Sequence, residues 1–297
     1  MLLSLTVLIP THGRPTLLKR TLDSVARCKL PESYEELVVI ENGSRAGVEK
    51  LVAELPERLN ARYMHRERGN KSYALNEALE TIEDGLVVFF DDDVRVEPQV
   101  LVAYAEAAEE HGTRHFFGGP VGIDYERTPD RHVLPLLPFS SRGYDLKNSD
   151  MGDLYLGFNW AAFVGDLVNA GGFNTCYGPG SSSGATGQEV DMQERLINNN
   201  IKGKDVIRAK VFHWVSRKKI TIKKIIRRKY RIGIQKGMSS NLRKTKIIHI
   251  FLSEIIIAIG VLFKSLLNPY KSLFAITSIS MLVGFLRGIV WSVSSKN

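Results

Sequence analysis

Four short apolar runs punctuate the first ninety residues: LTVLI (5–9), ELVVI (36–40), ARYMH (61–65) and LVVFF (86–90). Each is strand-sized and rich in β-branched or aromatic residues, and the runs are continuous rather than alternating. A continuous apolar strand is buried on both faces, which a parallel sheet covered by helices provides. Helical spacing fills the gaps between them. Pro15 to Cys28 turns Leu18, Leu22 and Val25 inward, and Asn70 to Ile82 gathers Ala74, Leu75, Ala78, Leu79 and Ile82 on one face. The order βαβαβαβ predicts an α/β fold, a Rossmann-like, mostly parallel central sheet with helices on both faces. In such sheets ligands bind at the carboxyl ends of the strands. The residues that follow each run are therefore the first candidates for a site.

Charge divides the chain of 297 residues in two. Residues 1–216 hold 23 Lys and Arg against 31 Asp and Glu, whereas 217–297 hold 17 against one, Glu254. The expected domains follow that division, an α/β domain over 1–216 and a basic, apolar helical region over 217–297. Two cysteines, Cys28 and Cys176, exclude a disulfide framework and point to a reducing compartment. LSLTVLIP leads straight into the first strand, so no signal peptide is expected. From 124 to 186 the pattern loosens, and CYGPGSSSGATG (176–187) reads as a mobile loop or lid. A helix resumes at Glu189, with Met192, Leu196 and Ile197 as its buried side.

The strand ends carry the polar chemistry. IPTHGRPTL (9–17) places Pro10, Thr11 and Arg14 at the end of the first strand, where a Pro-Thr turn into a helix is equally a structural device. VIENGS (39–44) places Glu41 and Asn42 at the same edge; an acid there can bond a ribose hydroxyl or base N–H, or simply be solvated beside an Asn-Gly turn. VVFFDDDV (87–94) runs four buried-type residues into Asp91, Asp92 and Asp93. Three adjacent carboxylates repel unless a cation or hydrogen-bond donors neutralise them. Asp91 and Asp93 point to one side of an extended segment, a pair suited to Mg²⁺ or Mn²⁺ together with a diphosphate.

Taken in order, IPTHGRP, VIENGS, RGNKSYALNEAL (68–79), VVFFDDDV, GFNWAAF…AGGFN (157–174), TGQEVDMQERL (186–196) and VFHWV (211–215) resemble the family 2 glycosyltransferases of the GT-A fold. The resemblance covers about 1–215. It implies that Pro10, Thr11, Arg14, Glu41 and Asn42 surround the nucleotide of a nucleotide-sugar. It also implies that Asp91 and Asp93 form the Asp-X-Asp pair beside Asp92, with Asp93 the main metal ligand and His213 near metal and diphosphate. Asn76 matches a segment packed on the donor pocket. Glu41 stands where the family usually has Asp, and Leu75 where an Arg commonly precedes Asn76; Lys71 is the candidate to replace that contact. By the same resemblance Glu189 occupies the general-base position and Asp191 the next acidic one, although acids at a helix N-terminus need no chemistry to explain them. Phe158 and Trp160 either border the acceptor cleft or belong to the core.

The activity this implies is inverting, metal-dependent transfer from a UDP- or GDP-sugar to a lipid-linked or growing saccharide, as in surface polysaccharide assembly. Two alternatives share the fold: a polyprenyl-phosphate sugar synthase, which needs no strong base, and an inactive membrane-bound scaffold. Arg217 to Lys246 holds thirteen Lys and Arg and no acid, followed by apolar segments at 247–263 and 272–293. Such a run favours anionic membrane lipid and marks the cytoplasmic face of the plasma (inner) membrane. The segments either span the bilayer or lie on it; a soluble helical pair buried in a homo-oligomer interface is the other reading. No nucleic acid is expected as partner, because isoleucines rather than stacking aromatics interleave the cations.

Overall fold

β1 (Leu5–Thr11) is buried at every position, as a continuous apolar strand in a sheet centre must be. It pairs in parallel with β2 (Tyr34–Asn42) on one side and β4 (Leu86–Phe89) on the other, and β3 (Ala61–Arg66) lies parallel beyond β2. Beyond β4 comes β8 (Trp160–Phe163), antiparallel to both β4 and β6 (His115–Gly118); β9 (Lys202–Asp205) closes the edge parallel to β6. The seven-stranded order is β3-β2-β1-β4-β8-β6-β9. A second sheet sets β10 (Val211–Val215) between β5 (Val94–Val96) and β7 (Val121–Tyr125). The computed structural model describes residues 3–146, 154–239, 256 and 269–294.

The helices are α1 (Pro15–Val25), α2 (Val48–Ala53), α3 (Lys71–Leu79), α4 (Val100–His111), α5 (Phe139–Arg142), α6 (Val164–Asn169) and α7 (Gln188–Asn198), then α8 (Ile222–Ser239) and α9 (Pro269–Ser294). Pro15 opens α1 at a position that needs no N–H. Asn70 caps α3 by accepting the Tyr73 N–H at 2.9 Å. Both helices end three residues before the apolar spacing does. Arg27 N–H bonds to Ser24 O and Cys28 N–H to Val25 O, and Thr81 and Ile82 bond likewise to Ala78 and Leu79, so each last turn tightens out of the α geometry.

The chain groups into two compact units: Met1–Asp124, Phe139–Thr175 and Gln188–Trp214 form one, and Tyr125–Pro138, Cys176–Gly187 and Val215–Asn297 the other. In the first, Phe89 stacks on Trp160 at 4.7 Å and both meet Phe173 edge-on. Trp160 is thus a core residue and borders no cleft.

In the second unit the Gly/Ser-rich segment 176–187 is docked, contrary to the expectation of a free lid. Ser183 Oγ donates to Cys176 O and accepts the Ala185 N–H, Arg231 Nε donates to Gly184 O at 2.8 Å, and Tyr177, Ala185 and Ile234 pack together. Its glycines serve turns: Gly178, Gly180, Gly184 and Gly187 all have positive φ. α8 and α9 run in the same direction, since Ile226 meets Ser280, Tyr230 meets Gly284 and Ile234 meets Gly288. A Cβ on Gly233, Gly237, Gly284 or Gly288 would come within 2.0–2.2 Å of a facing backbone oxygen, so the two backbones touch. The apolar segment 247–263 lies outside the described residues but for Ile256. Leu273–Ser292 of α9 is long and apolar enough to cross a membrane.

Candidate functional site

The ends of β1, β2 and β4 converge as the sheet topology requires, and the carboxylates after β4 are met by cations from two helices. Arg14, at the start of α1, pairs with Asp92 and places Nη1 2.8 Å from Asp93 Oδ2. Thr11 Oγ1 donates to Asp92 Oδ2 at 2.7 Å. Lys71, in the first turn of α3, pairs with Asp91. Burial, opposed by Arg14, pushes the Asp92 carboxyl up to about 6. Burial works against the charges of Arg14 and Lys71, yet the aspartates outweigh it and both are raised above their ordinary values. Glu189, at the start of α7, adds to that effect on Lys71, which places it in the same electrostatic cluster.

His213 comes from β10. Its Nδ1 faces the Ser140 carbonyl, which only accepts, so Nδ1 carries the proton. Nε2 then faces Asp93 Oδ1 at 3.3 Å, while Phe158 stacks on the ring at 4.7 Å. An imidazolium would donate to that oxygen; a neutral imidazole would share a cation with it. Two ligands at about 2.1 Å and a right angle stand about 3.0 Å apart, so the pair suits adjacent positions on Mg²⁺ or Mn²⁺. Among the described residues no three His, Cys, Asp or Glu side chains form a ready metal cluster, and Asp91 lies on Lys71. The residues that could hold a divalent cation are therefore Asp93 and His213.

The remaining candidates are placed as follows. Pro10 is buried in β1 opposite Ile40. Glu41 is fully buried; its Oε1 accepts the Ala46 N–H at 2.7 Å and its Oε2 the Tyr63 hydroxyl at 2.6 Å. Asn42 Nδ2 donates to Thr11 O at 2.9 Å, tying the ends of β1 and β2 together. Asn76 accepts the Phe173 N–H at 2.7 Å and donates to Phe173 O at 2.8 Å, so its amide secures the Gly-Gly-Phe turn. Asp191 pairs with Arg195 one helical turn on, at 2.7 Å.

Two contributors escaped the sequence reading. Gly157 lies so near Glu189 that a Cβ there would be 3.0 Å from its side chain. The signal was present in GFNW, since a glycine admits a close neighbour where a side chain would not. Ser140 acts through its carbonyl and left no signal at all.

The chain matches the sequence model of Glycosyl transferase family 2 over residues 6–165. No curated protein matches in sequence. Among solved structures, the mannosyltransferase PcManGT from Pyrobaculum calidifontis, in complex with GDP-Man and Mn²⁺, is 18% identical with a TM-score of 0.57, over 99% of this chain and 88% of that one. TarS of S. aureus is 16% identical with a TM-score of 0.52 over 82% of this chain. This chain spans 41% of the length of that TarS structure. TarS 1-349 in complex with UDP-GlcNAc is 15% identical with a TM-score of 0.53, over 82% of this chain and 69% of that one. At these identities the likeness is one of fold.

Proposed function

Because the chain belongs to glycosyl transferase family 2, we propose that it is an inverting, metal-dependent glycosyltransferase that moves a sugar from a UDP- or GDP-sugar to a hydroxyl of a lipid-linked or growing saccharide. One observation carries the reading: Asp93 and His213 offer a two-ligand cation position beside Arg14, and Lys71, paired with Asp91, feels the charge of Glu189. The complexes of the structural neighbours with GDP-Man and UDP-GlcNAc support a nucleotide-sugar donor of either base.

Arg14 would meet the nucleotide end of the cleft, and Thr11, Glu41 and Asn42, buried behind it, would hold the ends of β1 and β2 in place. Arg14 and Lys71 keep positive charge over the carboxylates and would meet the diphosphate. Asp92, buried beneath Arg14 and Thr11, orients that arginine. Mg²⁺ or Mn²⁺ held by Asp93 and His213 would supply Lewis-acid neutralisation of the departing diphosphate. Glu189 takes the proton of the acceptor hydroxyl as it attacks the anomeric carbon; such assistance is worth on the order of 10² to 10⁴ in rate. An acid at the base position favours a hydroxyl acceptor over a lipid phosphate, which needs no base. Residues 1–216 would form the catalytic domain. The cationic run from Arg217 supports attachment of 217–297 to the cytoplasmic face of a membrane.

Calorimetry with UDP and GDP, with and without Mn²⁺, tests the donor site. Binding that needs Mn²⁺ and disappears in Asp93→Ala is the expected result. Failure of the folded protein to bind either nucleotide would overturn the assignment.

A further inference from the structure

α9 has the length and composition of a bilayer span, but the helix packed on it is incompatible with that orientation. α8 lies along α9 from Ile226 beside Ser280 to Gly237 beside Phe285 and Ile289, against the middle and C-terminal half of 273–292. Four glycines bring the backbones into contact, so the pair behaves as one body. α8 carries seven Lys and Arg and no acid, with Lys223, Lys224, Arg227 and Lys236 exposed. An upright α9 would draw these cations into hydrocarbon, where charged side chains are strongly disfavoured. Arg287, exposed on α9 itself, donates to the Tyr230 hydroxyl at 2.8 Å and would enter with them.

The exposed apolar residues of α9 have a matching asymmetry. Five of the six, Ile276, Ile279, Val283, Leu286 and Val290, recur at alternating steps of three and four, a stripe about 21 Å long; Phe274 at the start of the helix lies off it, and Ala275, Thr277 and Phe285 are buried. A one-sided apolar stripe on a helix bound to a cationic partner is the pattern of an interfacial element. We infer that α8 and α9 lie together in the plane of an anionic bilayer surface, with the α9 stripe immersed at the acyl boundary and the α8 cations against lipid phosphates. This rests on the membrane attachment proposed above and assigns its geometry.

The test is sedimentation of the purified full-length chain with phosphatidylcholine vesicles, with and without phosphatidylserine. Phosphatidylserine should raise bound protein about tenfold. Alkaline carbonate should release the bound chain, and Val283→Asp or Ile279→Asp, both at exposed positions, should weaken binding about tenfold with unchanged melting. Carbonate resistance with a C-terminus protected from protease inside the vesicles would overturn the in-plane geometry and leave membrane attachment standing. Failure to pellet with either vesicle would overturn both, as would a dimer that buries the stripe. Nucleotide binding, measured separately, judges the donor site whichever result is obtained.

Discussion

Glu189 and Asp191 sit two residues apart on α7 with different partners. Asp191 is held by Arg195, whose guanidinium also reaches the Ala170 carbonyl, so it braces α7 against the end of α6. Glu189 instead lies against Gly157 and within the field of Lys71. Glu189→Gln is therefore expected to lower turnover by on the order of 10² to 10⁴ while nucleotide affinity stays within about threefold. Asp191→Asn should lower the melting temperature and spare turnover to within about tenfold. Steady-state release of the nucleoside diphosphate measures both, and equal losses in the two variants would refute the division of roles. The Asp191–Arg195 pair has the spacing at which acid and base face each other on a helix, although Asp191 reads first as an acid at a helix N-terminus. Arg14 with Asp92 and Asp93 was not legible in advance, since 78 and 79 residues separate the partners and only the parallel packing of β1 against β4 joins them.

Elements were legible in proportion to the length of their pattern. The four apolar runs became β1 to β4, but β5 has only three residues and β9 (KGKD) holds no apolar side chain, so neither leaves a pattern. Helix α8 was read as basic and amphipathic, which is correct for its charge and silent about its mate. Gly233 and Gly237, and Gly284 and Gly288, repeat at intervals of four on facing helices, a pattern that permits close backbone approach. Gly233→Leu or Gly288→Leu should force the helices apart and lower the melting temperature of the α8–α9 pair by several degrees. Gly165 in α6 is the control, because no heavy atom beyond its chain neighbours and its own helix backbone lies within 4 Å of an added Cβ. Gly165→Ala should be neutral or stabilise by about 0.4–1 kcal/mol. Thermal denaturation of the three variants compares them directly; a Gly288→Leu protein melting like wild type would show that the contact carries no stability.

At the scale of the whole molecule, the sheet buries more than apolar side chains, and the consequence is a limit on alkaline stability. Cys28 is pushed up to about 12 by burial, and Tyr63 to about 12 by burial together with its bond to Glu41. Tyr34, Tyr104 and Tyr144 are raised further, with burial the leading cause in each. All five groups are neutral when protonated. In the unfolded chain the thiol ionises near pH 9 and the phenols near pH 10, whereas the folded chain keeps its protons until about pH 12 or beyond. Over that interval the native state binds more protons than the unfolded state, so unfolding releases protons and stability falls as pH rises. Their stabilisation is complete below about pH 9 and declines above it. The urea midpoint is expected to be flat with respect to these groups from pH 7 to about 8.5 and then to drop steeply towards pH 11. Absorbance at the tyrosinate band should show these four phenols withheld until the chain unfolds, and Cys28 should react with a thiol reagent only in denaturant. Ionisation of all ten tyrosines near pH 10, with the urea midpoint unchanged, would mean that Tyr34, Tyr63, Tyr104 and Tyr144 are not held in the folded core.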